Sequence, residues 1–368
     1  MGVCFFIQET SSKKIRLNLS YNANDIIKQD IKNFYLNESK ETTSGFLNKI
    51  VANFYQNALA SVNQRLEDKI FELDDFFSKS EFDSIKQSDI NIITKALLAN
   101  YKEKLINKAL SYDKGVNVNM DINKSNIDHL INDIHEADIY NSESKYIKAL
   151  LEEYSMLEAY KREQVFFNDE VEKINSAINN NVKLKLTIKQ KFRVKDTTFY
   201  KKSFYVTPYK LVQDRTNSYN YLVGYSEEIN EDNTLKNVQI SSFRLSQISY
   251  IDVYNSKKKT LSKDEKNAIE EVLRNNTVQY MSSPIMDIKV RFTKKGLEKY
   301  QRIIYLRPNN YTRDIEDNMI YTFHCTKKHF MDYFIKFLRD IEVLEPLYLR
   351  EQFLKWYKDA VSVYEKEN

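Results

Sequence analysis

Residues 14–20, Lys-Ile-Arg-Leu-Asn-Leu-Ser, alternate strictly between apolar and polar side chains. Ile15, Leu17 and Leu19 fall on one side of an extended chain and Lys14, Arg16, Asn18 and Ser20 on the other, as in a half-buried β-strand. Residues 115–121 repeat the pattern, with Val116, Val118 and Met120 opposed to Gly115, Asn117, Asn119 and Asp121. The apolar period then lengthens to that of a helix in both places. Ile26, Ile27, Ile31 and Phe34 follow the first strand; Ile127, Leu130, Ile131 and Ile134 follow the second. A polar turn comes next in each, Thr43-Ser44 and Ser142-Glu143-Ser144, suited to capping a further helix. Those further helices run over 46–55 and 146–154.

Strand, helix, helix is half of a ribbon-helix-helix unit, and one half cannot bury its apolar faces alone. Two halves can, by pairing their strands antiparallel above four helices. The repeat predicts an intramolecular pseudo-dimer over 1–165, with halves 1–62 and 111–165. Residues 63–110, with Leu66, Ile70, Leu73 and Phe76 at helical spacing, read as a helical insertion. In ribbon-helix-helix repressors the outward strand residues enter the DNA major groove. Arg16, Asn18, Asn117 and Asn119 hold those positions here, and these residue types read base edges. The second strand offers no cation and ends in Asp121, so duplex binding and a scaffold role both stay open.

Residues 147–180 read as continuous helix, with 166–182 as a linker. Strands are expected at 183–193, 199–212, 219–226, 238–245 and 248–254, forming a small barrel over 183–256. Residues 257–279 begin with three lysines and end in a short helix. From 285 the order is strand, helix (297–304), strand hairpin (310–325), helix (329–341), strand (343–344) and helix (349–364). The expected fold class is α+β, with 257–368 as a C-terminal α+β dimerisation domain.

Charge sharpens this picture. The 368 residues carry a formal net charge of only +4, so any nucleic-acid surface must be a local patch. Lys183, Lys185, Lys189, Lys191, Arg193, Lys195, Lys201 and Lys202 cluster around the single acid Asp196. Lys183 and Lys185 alternate with Leu184 and Leu186 and point to one strand face, and Lys189, Lys191, Arg193 and Lys195 repeat at period two, again on one face. Aromatics Phe192, Phe199, Tyr200, Phe204 and Tyr205 interleave. A one-sided basic strand edged by rings suits a phosphodiester track with stacking positions; a solvated edge strand kept from aggregating by its lysines is the other reading. The 26 Tyr and 21 Phe mostly serve cores, and the surplus favours stacking surfaces. Five Gly argue against a Gly-rich phosphate loop. Cys4 and Cys325 are too far apart in sequence to read as a ligand pair, and a reduced cytoplasmic setting is expected. No apolar run approaches the ~18 residues of a membrane span. His324, Cys325 and His329 lack an acidic neighbour cluster, and neither a metal centre nor a cofactor is expected.

Three segments carry a family resemblance: Val206-Thr207-Pro208-Tyr209-Lys210-Leu211-Val212, Tyr219-Asn220-Tyr221-Leu222-Val223-Gly224-Tyr225 and Ser242-Phe243-Arg244-Leu245-Ser246-Gln247-Ile248. Together they resemble the WYL domain, a small Sm/SH3-like barrel of bacterial regulators and CRISPR-associated proteins. Asn220 stands where that motif has its Trp, and Ser246-Gln247 where it has Asp-Arg. The combination with a ribbon-helix-helix unit resembles the WYL accessory proteins encoded beside type VI-D CRISPR RNA-guided ribonucleases. Glu152-Glu153-Tyr154-Ser155-Met156-Leu157, Arg162-Glu163, Phe167 and Lys173-Ile174-Asn175 carry that likeness further. It implies a non-enzymatic homodimer that binds single-stranded RNA and enhances the partner ribonuclease.

On this reading Lys185, Lys189, Lys191 and Arg193 neutralise backbone phosphates, with Lys210 as a further contact. Tyr209, Tyr221 and Phe243 stack on or shape the strand. Arg244, costly to bury unpaired, either meets a carboxylate or anchors a phosphate with its fork. The alternative is a transcriptional regulator whose ribbon binds operator DNA and whose barrel senses a nucleotide.

Overall fold

The computed structural model describes residues 12–34, 42–55, 60–78, 87–110, 115–128, 143–191, 199–214, 216, 218–230, 232–236, 238–281 and 284–365. The fold is mixed α+β with antiparallel sheets, in two compact units, residues 1–169 and 170–368.

The first unit is built on strands β1 (Ser12–Leu19) and β2 (Val116–Asn123), paired antiparallel with Leu17 opposite Val118 and Arg16 opposite Asn119. The alternation read from the sequence sets this register: Ile15, Leu17, Leu19, Met120 and Ile122 are buried, while Arg16, Asn18, Asn117 and Asn119 stand exposed. Helices α1 (Tyr21–Phe34) and α2 (Thr43–Phe54) follow β1. Helices α3 (Ala60–Phe77) and α4 (Gln87–Leu110) form the insertion. After β2 a helical turn covers 124–128, then come α5 (Glu143–Met156) and α6 (Ala159–Phe166). The expected apolar positions Leu130, Ile131 and Ile134 lie outside the described residues. The cap of α2 is Thr42, whose hydroxyl accepts from the Gly45 N–H at 3.0 Å, one residue before the expected pair.

The two halves interlock through polar groups. Asn48 on α2 donates to the Asp121 carbonyl (2.8 Å) and accepts from the Asn123 N–H (3.0 Å), so it closes the end of β2. Glu152 on α5 accepts from the Ser20 N–H and hydroxyl, both at 2.7 Å, so it closes the end of β1. Each second helix thus satisfies the strand of the other half, which leaves neither half complete alone. Beneath, Arg162 on α6 meets Asp30 on α1 at 2.6 Å in a site where both side chains are nearly sequestered from water. Tyr154 on α5 donates to the same carboxylate at 2.9 Å, and burial, with the Asp30 charge beside it, pushes its hydroxyl well above the usual range.

The continuous helix expected over 147–180 is broken twice, into α5, α6 and α7 (Asn168–Asn180). At the first break Glu158 turns extended (ψ 149°), and the Leu157 carbonyl that leaves the helix is taken by the Arg162 guanidinium at 2.6 Å.

In the second unit, strands β3 (Val182–Lys191), β4 (Phe199–Gln213), β5 (Asn220–Ile229), β6 (Gln239–Arg244) and β7 (Ile248–Lys258) form one sheet in the order β6-β5-β4-β3-β7. Among the described residues β6 and β7 are not paired with each other, so the expected closed barrel is an open sheet with two edges. The sheet is nonetheless strongly curled. Laid flat, its edges would stand about 19 Å apart at ~4.8 Å per strand. The chain passes from one edge to the other in the single 3-10 turn Leu245–Gln247, about 6 Å of rise. Bulges accommodate the curl by bending their strands, one of them leaving Tyr209 as an extra residue between Pro208 and Lys210. Gly224 sits opposite Pro208, where a Cβ would stand 2.2 Å from the Thr207 carbonyl oxygen.

Helix α8 (Lys263–Asn276), started by a capping box of Ser262 and Glu265, lies over part of this sheet. Its Ile269, with Leu261, Val278 and Met281, packs on Val223, Tyr221 and Tyr225. A second sheet, β11-β8-β10-β9, follows: β8 (Ile285–Phe292), β9 (Tyr311–Arg313), β10 (Ile320–Thr326) and β11 (Ile341–Glu345). It is backed by α9 (Lys294–Arg302), α10 (Lys327–Phe334), a 3-10 run (Ile335–Asp340) and α11 (Leu347–Glu365). Much of the aromatic surplus is consumed here. Phe292, Tyr300, Tyr321, Phe323, Phe330 and Phe334 form one ring-on-ring core, with centroids such as Phe323–Phe334 at 4.9 Å.

Candidate nucleic-acid interface

Strand β3 buries Leu184, Leu186 and Ile188 and turns Lys183, Lys185, Thr187 and Lys189 to the convex face of the curled sheet. Opposed residues in an antiparallel ladder share a face. Lys185 lies opposite Tyr205 on β4 and Asp252 on β7; Thr187 opposite Ser203 and Tyr250; Lys189 opposite Lys201. Lys183 lies opposite Tyr254, whose ring stands 5.1 Å from that of Tyr205. Tyr250 and Tyr254 are exposed. Three lysines, Lys185, Lys189 and Lys201, and three tyrosines, Tyr205, Tyr250 and Tyr254, therefore share one surface beyond the reach of α8.

Its electrostatics favour an incoming anion. Partial burial and the facing Lys201 charge pull the Lys189 ammonium below the usual lysine range. Like charges set directly opposite are destabilising, and a phosphate between them relieves that. The surface is not purely basic. Glu227 takes Lys183 in an ion pair at 2.5 Å, and Asp252 stands across from Lys185. Lys202 lies opposite Ile188 and so on the other face, where Glu228 binds it (2.9 Å) together with Lys236 (2.8 Å).

The expected site residues divide. Lys185 and Lys189 belong to this face. Lys191 ends β3, but its side chain and all of Arg193 lie outside the described residues. Phe243 is corrected to core: it is 4% exposed on the inner face, with its ring 5.1 Å from that of Phe204, and so has no face for a base. Tyr209 and Lys210 are engaged with α8, where the Glu270 carboxylate accepts from the Tyr209 hydroxyl (2.8 Å) and from the Lys210 ammonium (2.6 Å). Those two bonds hold Glu270 below the usual carboxylate range. A cavity of about 300 Å³ opens there, between Lys210, Gln213, Glu270 and Arg274. Tyr221 is half-buried beneath α8. Arg244 takes a third course: its guanidinium lies 3.2 Å from the centroid of the Tyr219 ring, and its Nε donates to the Ser246 hydroxyl at 2.7 Å.

Tyr250 and Tyr254 were not singled out from the sequence. Their signal is the alternation of Tyr250, Asp252 and Tyr254 with Ile251 and Val253. Lys201 was counted in the basic run, but its place opposite Lys189 depends on the β3–β4 register. In the first unit Arg16, Asn18, Asn117 and Asn119 share the outer face of the ribbon, where the Asn18 amide donates to Asn117 at 3.2 Å.

Residues 324, 325 and 329 do not converge. His324 binds Asp287 at 2.6 Å on one side of β10. Cys325 is buried on the other, where burial pushes its thiol up to about 12. His329 stacks on Tyr280 at 4.4 Å. Among the described residues no group of three or more His, Cys, Asp or Glu is placed to hold a metal, and no helix is long and apolar enough to cross a membrane.

A crystal structure described as that of a CRISPR Cas-related protein is similar to this chain, with a TM-score of 0.71 and 22% sequence identity. The match covers 98% of this chain and 96% of that one, so the two share a fold along their whole lengths. The proteasome accessory factor B/C of Arthrobacter aurescens matches at a TM-score of 0.31 and 11% identity, over 99% of this chain and 52% of that one. No protein-family model and no curated protein matches.

Proposed function

We propose that this chain is a single-stranded RNA-binding accessory protein of a type VI-D CRISPR system, without catalytic activity of its own, that enhances the activity of the RNA-guided ribonuclease. The observation that carries the reading is the convex face of the open sheet. Lys185, Lys189 and Lys201 supply phosphate contacts there, and Tyr205, Tyr250 and Tyr254 supply rings for unstacked bases. A flexible single strand follows a curled surface that a stiff duplex cannot. The fold shared with a CRISPR Cas-related protein supports the CRISPR setting, and the WYL and ribbon-helix-helix resemblances support the type VI-D assignment. The test is a polarisation titration of labelled single-stranded RNA, single-stranded DNA and duplex DNA at matched salt. Preference for single-stranded RNA supports the reading; equal or tighter duplex binding contradicts it.

The protein acts as a homodimer on this account, joined through the C-terminal layer. There α11 exposes the apolar side chains Leu354, Trp356, Val361, Val363 and Tyr364, which a partner copy would cover. Light scattering on Leu354→Asp/Trp356→Asp should give a monomer where the unaltered protein gives a dimer; a monomer in both removes this part.

A second reading is an operator-binding regulator, favoured by the four exposed base-reading side chains on the ribbon. It expects tight duplex binding that Arg16→Ala weakens by about tenfold or more, as the loss of a base contact worth ~1–3 kcal/mol would.

A further inference from the structure

Helix α9 places Lys295, Lys299 and Arg302 on one wall of a cavity of about 720 Å³, and residues 337–340 form the opposite wall. That volume lies in the range of small-ligand sites, about 300–1,000 Å³. Arg339 adds a fourth cation to the lining, against two carboxylates, Glu298 and Asp340. Asp340 is engaged with Lys299, at 3.5 Å, and the Lys299 ammonium also donates to the Lys336 carbonyl at 2.8 Å. Among the described residues Lys295, Arg302 and Arg339 form no ion pair. Burial, and after it the Lys299 charge, pull the neighbouring Lys336 ammonium below its usual range.

The backbone gives a second, independent sign. Leu338 has φ 53° and ψ −124°, a conformation that residues with a Cβ rarely adopt and that costs about 1–3 kcal/mol. Its side chain is 58% exposed, so burial of the leucine does not repay that cost. The kink seats Phe337 in the core and sets Arg339 on the cavity wall. Strain held at the lip of a basic cavity is the pattern of a ligand site.

We propose that this cavity is a binding site for a ligand with two or more adjacent phosphate groups. Arg302 and Arg339 each offer a planar fork that matches phosphate oxygens, and Lys295 adds a point charge. A nucleoside polyphosphate and consecutive phosphates of an RNA strand present this chemistry alike. The site is separate from the convex sheet face and does not depend on that face binding RNA.

The test is calorimetric titration of the full chain with inorganic pyrophosphate, a nucleoside diphosphate and the corresponding monophosphate. Pyrophosphate and the diphosphate should bind, and the monophosphate about tenfold more weakly, the share of one charge-assisted contact. Arg302→Gln/Arg339→Gln should weaken pyrophosphate binding by about a hundredfold on the same scale. Glu298→Gln removes an exposed acid from the lining and should strengthen binding severalfold, an outcome that misfolding cannot imitate. Single-stranded RNA that displaces pyrophosphate from Lys185→Gln/Lys189→Gln identifies the source as the strand; no displacement identifies a free nucleotide. Absence of pyrophosphate binding, or binding unchanged in the double arginine variant with its melting intact, overturns the proposal.

Discussion

Arg162→Ala should destabilise the N-terminal unit by about 3–5 kcal/mol, enough to unfold many domains outright. The guanidinium makes three bonds: two to the Asp30 carboxylate, at 2.6 and 3.2 Å, and one to the Leu157 carbonyl. Removing it strands a charge whose side chain is 3% exposed, with the Tyr154 hydroxyl as its remaining partner among the described residues. It also frees the carbonyl at the α5–α6 break. The bonds join α1 to α6 and to the α5–α6 break, so their loss opens the seam between the two strand–helix–helix halves. Replacing both partners, Asp30→Leu with Arg162→Met, should recover much of the stability, because no buried charge then remains. Thermal melting of the single and double variants measures this. A single variant that melts with the unaltered protein contradicts the assignment of the seam.

Lys185→Gln/Lys189→Gln/Lys201→Gln should weaken single-stranded RNA by about two decades at ~0.1 M salt. Each phosphate contact on a single strand contributes about 0.7 to the slope of log affinity against log salt, so three contribute about two. The lysines are not interchangeable in mechanism. Lys189 and Lys201 repel across the β3–β4 ladder and gain most from an anion between them, whereas Lys185 sits opposite Asp252 and gains less. The fold should survive, because the replaced ammonium groups point away from the inner core. Lys189→Gln removes one partner of a like-charge pair.

The ribbon was legible in the sequence because strict alternation fixes both strand and register, and a slip of one residue would expose Leu17 and Leu19. The strands of the larger sheet were legible for the same reason. What failed was what alternation does not encode. The bulge at Tyr209 and the crossing of α8 place Glu270 against Tyr209 and Lys210, a contact between residues about sixty positions apart. Phe243, expected to stack on or shape the strand, is next to the polar Arg244 in sequence. In a strand neighbours face opposite ways, and the sheet's curl closes Phe243's side around Phe204. The break between α5 and α6 was invisible because the residue that compensates it, Arg162, looks like an ordinary surface arginine in sequence. The single barrel became an open sheet because edge pairing depends on three-dimensional closure, not on local pattern.

The account rests on the convex face of the sheet holding RNA through its lysines. Polarisation of a labelled single-stranded RNA, titrated across a salt series with the unaltered protein and with Lys185→Gln/Lys189→Gln/Lys201→Gln, measures this directly. The predicted result is a slope shallower by about two units in the triple variant, with binding of the two proteins converging near ~1 M salt. Parallel lines of equal affinity would contradict it and move the RNA to another surface.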